Sequence, residues 1–279
     1  DGGYHGYWAT DLYSLNPHFG SEGDFRDLVS ALHSRGMWIM VDVVANHVAP
    51  VGHDYSGVNP FNQQEHYHND CVITGDCFNN HDQQCVENCR LADLPDLSQE
   101  NDYVKDTLLS WISDLVSKYD IDGLRIDTIP EVPKWFWKNF QDAAGVYAVG
   151  EVFDGNTGYV ADYQNYLDAL LNYPLRFAIY DVWHNGNNFY RLQDQMNTNA
   201  GAFKDINALG VFVDNHDNAR FLNGNTNRNG FTAATIFGLF AEGIPIVYYG
   251  SEQYFGGGND PQNREPLWDN LDTSSTLYK

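Results

Sequence analysis

Several short stretches set carboxylates, histidines or an arginine where an apolar run ends. The clearest is Gly123-Leu-Arg-Ile-Asp127. Residues i and i+2 of an extended chain share a face, so Arg125 and Asp127 project together while Leu124 and Ile126 project oppositely. A buried charge is costly unless paired. The pair is therefore either a structural salt bridge or a carboxylate held ionised by a cation for use. Three more sites repeat the placement. Asn46 and His47 follow one apolar run, Glu151 sits on another, and His216-Asp217 follow a third. A glutamate at a strand end is often exposed, but Val149, Val152 and Phe153 around Glu151 argue against that here.

These positions need strands to hold them. Met37–Val44 is a continuous apolar run suited to a strand buried on both sides. Further strands are expected at Gly123–Asp127, Val146–Phe153, Leu209–Asn215 and Ile244–Tyr249, with a weaker one near Tyr173–Val182. Helical patterns fall at Glu22–Arg35, Tyr103–Tyr119, Pro133–Ala144, near Tyr159–Leu171, and at Phe189–Asn197 and Thr232–Ala241. This alternation predicts a parallel sheet with crossover helices. About six strand–helix units are legible, and a closed (β/α)8 TIM barrel needs eight. Such barrels build active sites just after their strands, as here; an open doubly wound sheet is the other architecture considered. Residues 45–100 are polar and too long for an ordinary loop, so they read as an inserted subdomain within a catalytic unit formed by 1–44 and 101–279.

Composition narrows the partners. With 43% hydrophobic and 15% aromatic residues the chain has a core to bury, in one large domain or two smaller ones. A net charge of −23 repels nucleic acid phosphates and attracts cations. No apolar run reaches the roughly 20 residues of a membrane span. Cys71, Cys77, Cys85 and Cys89 lie in one window, which points to two disulfides and an oxidising compartment rather than a zinc site. The start at Asp1-Gly2-Gly3, without Met, reads as processed or truncated.

The chain resembles the glycoside hydrolase family of the α-amylases, especially secreted fungal-type enzymes. The motifs that carry this are Asp42-Val-Val-Ala-Asn-His47, Gly123–Asp127, Gly150-Glu-Val-Phe153 and Phe212-Val-Asp-Asn-His-Asp217, supported by Tyr4–Trp8, Leu94–Leu97, Gly243–Gln253 and Gly257–Glu265. The resemblance implies an incomplete TIM barrel lacking the first two strands and a C-terminal β-sandwich. It also implies a secreted, extracellular, monomeric enzyme acting on α-glucans such as starch or glycogen.

In a retaining glycosidase two carboxyl groups about 5–5.5 Å apart act from opposite sides of the scissile bond. By resemblance Asp127 is the nucleophile, held by Arg125; Glu151 is the general acid and then the base; Asp217 is the third carboxylate, on hydroxyls of the sugar being cleaved. His47 and His216 bond sugar hydroxyls, and Tyr7 stacks on a sugar ring with Trp8 packed behind it. Asp260 and Arg264 bind sugars further along, and Asp42 is structural. Calcium is implied, held by the Asn46 side chain, the Asp96 carboxylate and main-chain oxygens of Glu87 and Glu131. A Cys71–Cys89 bridge fits the family; a nested Cys77–Cys85 bridge is this sequence's own. One departure stands out: Pro130-Glu131 occupies the place of a Lys-His pair that helps bind sugar on the leaving-group side. An exo-acting or transferring relative is the nearest alternative activity, and a non-catalytic glucan-binding protein the alternative class.

Overall fold

The computed structural model describes residues 5–279, so Tyr4 of the first motif and the Asp1-Gly2-Gly3 start lie outside it. The chain forms two compact units, one of residues up to Glu151 together with Tyr166–Asp168, the other of Val152–Asn165 and Ala169–Lys279.

The first unit opens with helix α1 (Glu22–His33), begun by a capping box in which Ser21 and Asp24 satisfy each other's amides. Strand β1 (Met40–Val43) follows. Two short helices, α2 (Gly75–Asn79) and α3 (Gln83–Asn88), lie in the polar segment, where Cys77–Cys85 and Cys71–Cys89 are both formed as expected. Ile73, Val86 and Leu91 pack around these sulfurs as a small satellite core. Long α4 (Asp102–Tyr119), β2 (Gly123–Ile126), α5 (Lys134–Ala144) and β3 (Tyr147–Gly150) complete the unit. The helices bury Leu108, Ile112, Phe136, Trp137 and Phe140 completely.

The three strands are parallel in the order β1–β2–β3, with Asp42 level with Arg125 and Arg125 level with Val149. The expectation that Met37–Val44 is buried on both sides fails at its start: Trp38 is 85% and Met40 46% exposed. Among the described residues of this unit β1 pairs with β2 alone, at the edge of the sheet.

The second unit holds α6 (Thr157–Asp162), β4 (Ala169–Leu170), α7 (Tyr173–Trp183), α8 (Tyr190–Ala202), β5 (Gly210–Val211), α9 (Arg228–Phe240) and β6 (Ile244–Pro245). β5 and β6 are parallel, and Leu171, just after β4, bridges to Gly210 in the same sense. Two expectations are corrected here. The helical pattern near Tyr159–Leu171 ends early, and its apolar tail Ala169–Leu170 is a buried strand. Tyr173–Val182, read as a weak strand, is helix α7. Asn172 Oδ1 accepts from the Leu175 amide at 3.1 Å, and Pro174 sits in the first turn, where its missing N–H costs nothing. No helix among the described residues is long and apolar enough to cross a membrane.

The cap carries a prediction. Asn172 is buried and also accepts from Asn199 Nδ2 at 3.1 Å. Asn172→Ala is expected to cost about 1–2 kcal/mol in urea unfolding of the full-length protein. An unchanged midpoint would show that α7 needs no cap.

Candidate active site

Parallel pairing brings the ends of β1, β2 and β3 level. The Asp127 amide donates to Val43 O at 3.0 Å and the Glu151 amide to Ile126 O at 2.8 Å. Both carboxylates therefore leave the sheet at its C-terminal edge. The glycine before Glu151 is sterically required, since a Cβ on Gly150 would meet Ile129 Cγ1 at 2.7 Å and Leu167 Cδ1 at 2.8 Å. Thr128, just after Asp127, has φ of 51°, a strained value for a β-branched residue.

Arg125 gathers these groups. Its Nη1 lies 2.5 Å from Asp127 Oδ1 and 3.1 Å from Asp42 Oδ1, and its Nη2 lies 2.9 Å from Glu151 Oε2. Two carboxylate oxygens held by neighbouring nitrogens of one planar guanidinium are at most about 8 Å apart. Burial works against the charge on Arg125, but Glu151, Asp42, Tyr7 and Asp127 outweigh it and hold the guanidinium fully protonated. The Tyr7 hydroxyl accepts from Arg125 Nη1 at 2.8 Å and donates to Asp42 Oδ1. Trp8, expected behind Tyr7, sits edge-on to His5 and is 37% exposed. His47 is buried, and burial pulls it down to about 4 against the opposing field of Asp127, so the ring is neutral.

The second unit forms its own cluster. His216 Nε2 is 3.1 Å from Asp217 Oδ2, Arg264 Nη2 is 3.8 Å from Asp217 Oδ1, and Arg264 Nε is 2.5 Å from Asp260 Oδ1. The four residues expected from the second half of the chain thus lie together, with Asp217 partly open to solvent.

The residues expected to hold calcium are also partly gathered. The amide tip of Asn46 sets one heteroatom 3.1 Å from Glu131 O and 2.9 Å from Asp96 Oδ1, the other 3.2 Å from His47 Nδ1. With nitrogen toward the two oxygens this is a hydrogen-bond cluster; with oxygen toward them, three oxygens converge as a hard cation requires. The surroundings are poor in donors. Glu131 Oε2 is buried with no partner, and burial, with Asp127 and Asp96 nearby, pushes its carboxyl up to about 8. Asp96 is raised by burial to about 7. Glu87 accepts from Gln83 Nε2 at 2.8 Å, and that same nitrogen donates to Pro130 O at 2.7 Å, beside Glu131. No group of three His, Cys, Asp or Glu side chains gathers for a metal among the described residues, so any cation here would rest on the Asp96 carboxylate together with amide and main-chain oxygens.

Sequence reasoning missed His68. Its Nδ1 lies 2.8 Å from Asp96 Oδ2 and its Nε2 2.9 Å from Glu100 Oε2; despite burial, the two carboxylates raise the ring to about 9. No local pattern signals a partner 28 positions away. Asn263, buried against the His216–Asn218 loop, was missed too, although it stands inside a motif already noted.

Comparison with known proteins shows what the chain is similar to. Residues 2–276 match the family model described as alpha amylase, catalytic domain. The chain is 42% identical to Alpha-amylase 1 of Lipomyces kononenkoae, over 99% of this chain and 45% of that protein. Among solved structures, an alpha-amylase from Malbranchea cinnamomea aligns with a TM-score of 0.93 at 44% identity, over 99% of this chain and 60% of that one. An alpha-amylase from Geobacillus thermoleovorans, complexed with acarbose, aligns with a TM-score of 0.88 at 34% identity, over 99% and 62%. The chain spans about half the length of the curated relatives it matches.

Arg125 is 9% exposed and holds three carboxylates at once. Arg125→Met in the full-length protein is expected to destabilise it by about 3–5 kcal/mol in denaturant unfolding at neutral pH, since buried carboxylates would lose their cation. A loss below about 1 kcal/mol would mean these carboxylates are solvated well enough to need no partner.

Proposed function

Since the chain belongs to the alpha-amylase catalytic-domain family, we propose that it is the core of a retaining endo-hydrolase of α-1,4-glucosidic bonds in starch or glycogen. The observation that carries this reading is the one guanidinium, Arg125, bound to both Asp127 and Glu151. Asp127 attacks the anomeric carbon and forms the covalent glycosyl intermediate. Glu151 gives its proton to the leaving oxygen and then takes one from the water that releases the product. Arg125 keeps Asp127 a ready anion and fixes its direction. Asp217, with His216 beside it, holds hydroxyls of the sugar being cleaved, and neutral His47 bonds another. Arg264 and Asp260 bind a sugar further along, and Tyr7 offers its ring face.

The same reading takes the sheet as part of an incomplete (β/α)8 barrel with an inserted subdomain at 45–100. It makes the protein a secreted one, in keeping with its disulfides. Calcium fits the oxygen-rich cluster: Asn46, Asp96 and the carbonyl of Glu131 would hold it, with the Glu87 carbonyl. Its contribution is structural, tying the polar segment to the strand ends. A second reading, glucosyl transfer or exo-action on α-glucosides, is favoured by Pro130-Glu131, which offers acceptor sugars no cationic or imidazole donor.

Glu151→Gln in the full-length protein should lower release of reducing sugar from soluble starch about a thousandfold with the fold intact. Hydrolysis at the parental rate would remove Glu151 from the chemistry. Chelation should lower the melting temperature by several degrees, restored by added Ca2+. A melting curve indifferent to both would leave the oxygen cluster as a hydrogen-bond network alone.

A further inference from the structure

Asn263 is completely buried, and its Nδ2 donates to two carbonyls, His216 O at 2.7 Å and Asn218 O at 2.9 Å. These are the carbonyls on either side of Asp217. One amide nitrogen therefore spans the residue that bears the carboxylate. Asn215 Oδ1 in turn accepts from the amides of Asp217 at 3.3 Å and Asn218 at 3.1 Å. The backbone that aims Asp217 is held by two side-chain amides.

Asn263 is in turn fixed from behind. Its own carbonyl accepts from Arg220 Nε at 3.1 Å and from the Tyr248 hydroxyl at 3.1 Å. Arg220 is completely buried, pairs with Glu265 Oε2 at 2.7 Å, and lies 4.3 Å over the Tyr248 ring. Asn263 Oδ1 has no partner, a desolvation cost that an apolar side chain of similar size would avoid. The two donated bonds are what an apolar residue could not supply.

We propose that Asn263 is a positioning residue: by bridging the carbonyls of His216 and Asn218 it sets the direction in which Asp217 presents its carboxylate to the sugar being cleaved. The proposal rests on reading Asp217 as the third carboxylate. A carboxylate that stabilises positive charge developing in the transition state acts over a short range. A displacement of about 1 Å therefore weakens the transition state by up to a hundredfold while leaving ground-state binding at the other subsites largely intact.

A double-mutant cycle tests this in the full-length protein, with an aryl α-maltooligoside as substrate so that slow variants stay measurable. Asn263→Ala is expected to lower kcat by roughly ten- to a hundredfold with KM within about twofold. In the Asp217→Asn background the same change should alter the residual kcat less than about twofold, because the residue acts only through Asp217. Tyr248→Phe, which removes one hydroxyl and keeps the ring, should lower kcat a few-fold and likewise lose its effect on Asp217→Asn. Near-ultraviolet circular dichroism identifies the folded fraction to which rates are normalised. The proposal is overturned if the Asn263→Ala and Tyr248→Phe proteins both keep parental kcat, or if their decrements persist in full without the Asp217 carboxylate. If Asp217→Asn itself retains parental kcat, the reading of Asp217 fails first and the positioning role with it.

Discussion

One guanidinium organises the first half of this protein. Arg125 is nearly buried, yet it stays charged because Asp127, Glu151 and Asp42 surround it. The converse also holds: three carboxylates at the ends of neighbouring strands are tolerable only because a cation lies among them. A lysine could not do the same, having one point charge where the guanidinium offers a planar fork with separate nitrogens for separate oxygens. The fold contributes by register. Asp42 stands level with Arg125 on β1 and β2, and the chain continues from β2 and β3 directly into Asp127 and Glu151.

Much of this was legible in the sequence, and the reason is local. The i, i+2 spacing of Arg125 and Asp127 already places both side chains on one face, and parallel strands carry that face to neighbours without a change of side. The disulfides were legible because four cysteines in 19 consecutive residues leave few alternatives. What escaped notice depends on distant partners. The pairing of His68 with Asp96, and of Asn263 with the His216–Asn218 loop, joins residues 28 and 45 or more positions apart. The weak strand expected at Tyr173–Val182 failed for another reason. Its apolar residues fit either periodicity, and the deciding groups, Asn172 and Pro174, lie at its very start.

The two units use different means to hold a carboxylate. In the first, a charged side chain grips the carboxylates themselves. In the second, an uncharged amide grips the backbone around Asp217, whose carboxylate stays partly exposed and lies 3.1 Å from His216 Nε2 and 3.8 Å from Arg264 Nη2. The difference suits the proposed roles. A nucleophile and a proton donor must keep a fixed mutual distance, which a shared cation enforces. A carboxylate that bonds substrate hydroxyls must turn its oxygens toward the sugar, so its direction is better set through the main chain.

The distance between Asp127 and Glu151 is in fact constrained twice. Beyond the guanidinium, the backbone after Asp127 turns through Thr128 at φ of 51°, and the next amide, Ile129 N, donates to Glu151 O at 3.1 Å. Trp137, completely buried, donates from Nε1 to Ile129 O at 2.9 Å and secures the far side of that turn. A β-branched residue adopts this conformation only where its surroundings insist. Here they do, because relaxing Thr128 would break a main-chain bond between the two carboxylate-bearing segments. The strained turn is thus the counterpart of the salt bridge: the guanidinium fixes Asp127 and Glu151 through their side chains, the turn through the peptide links that carry them.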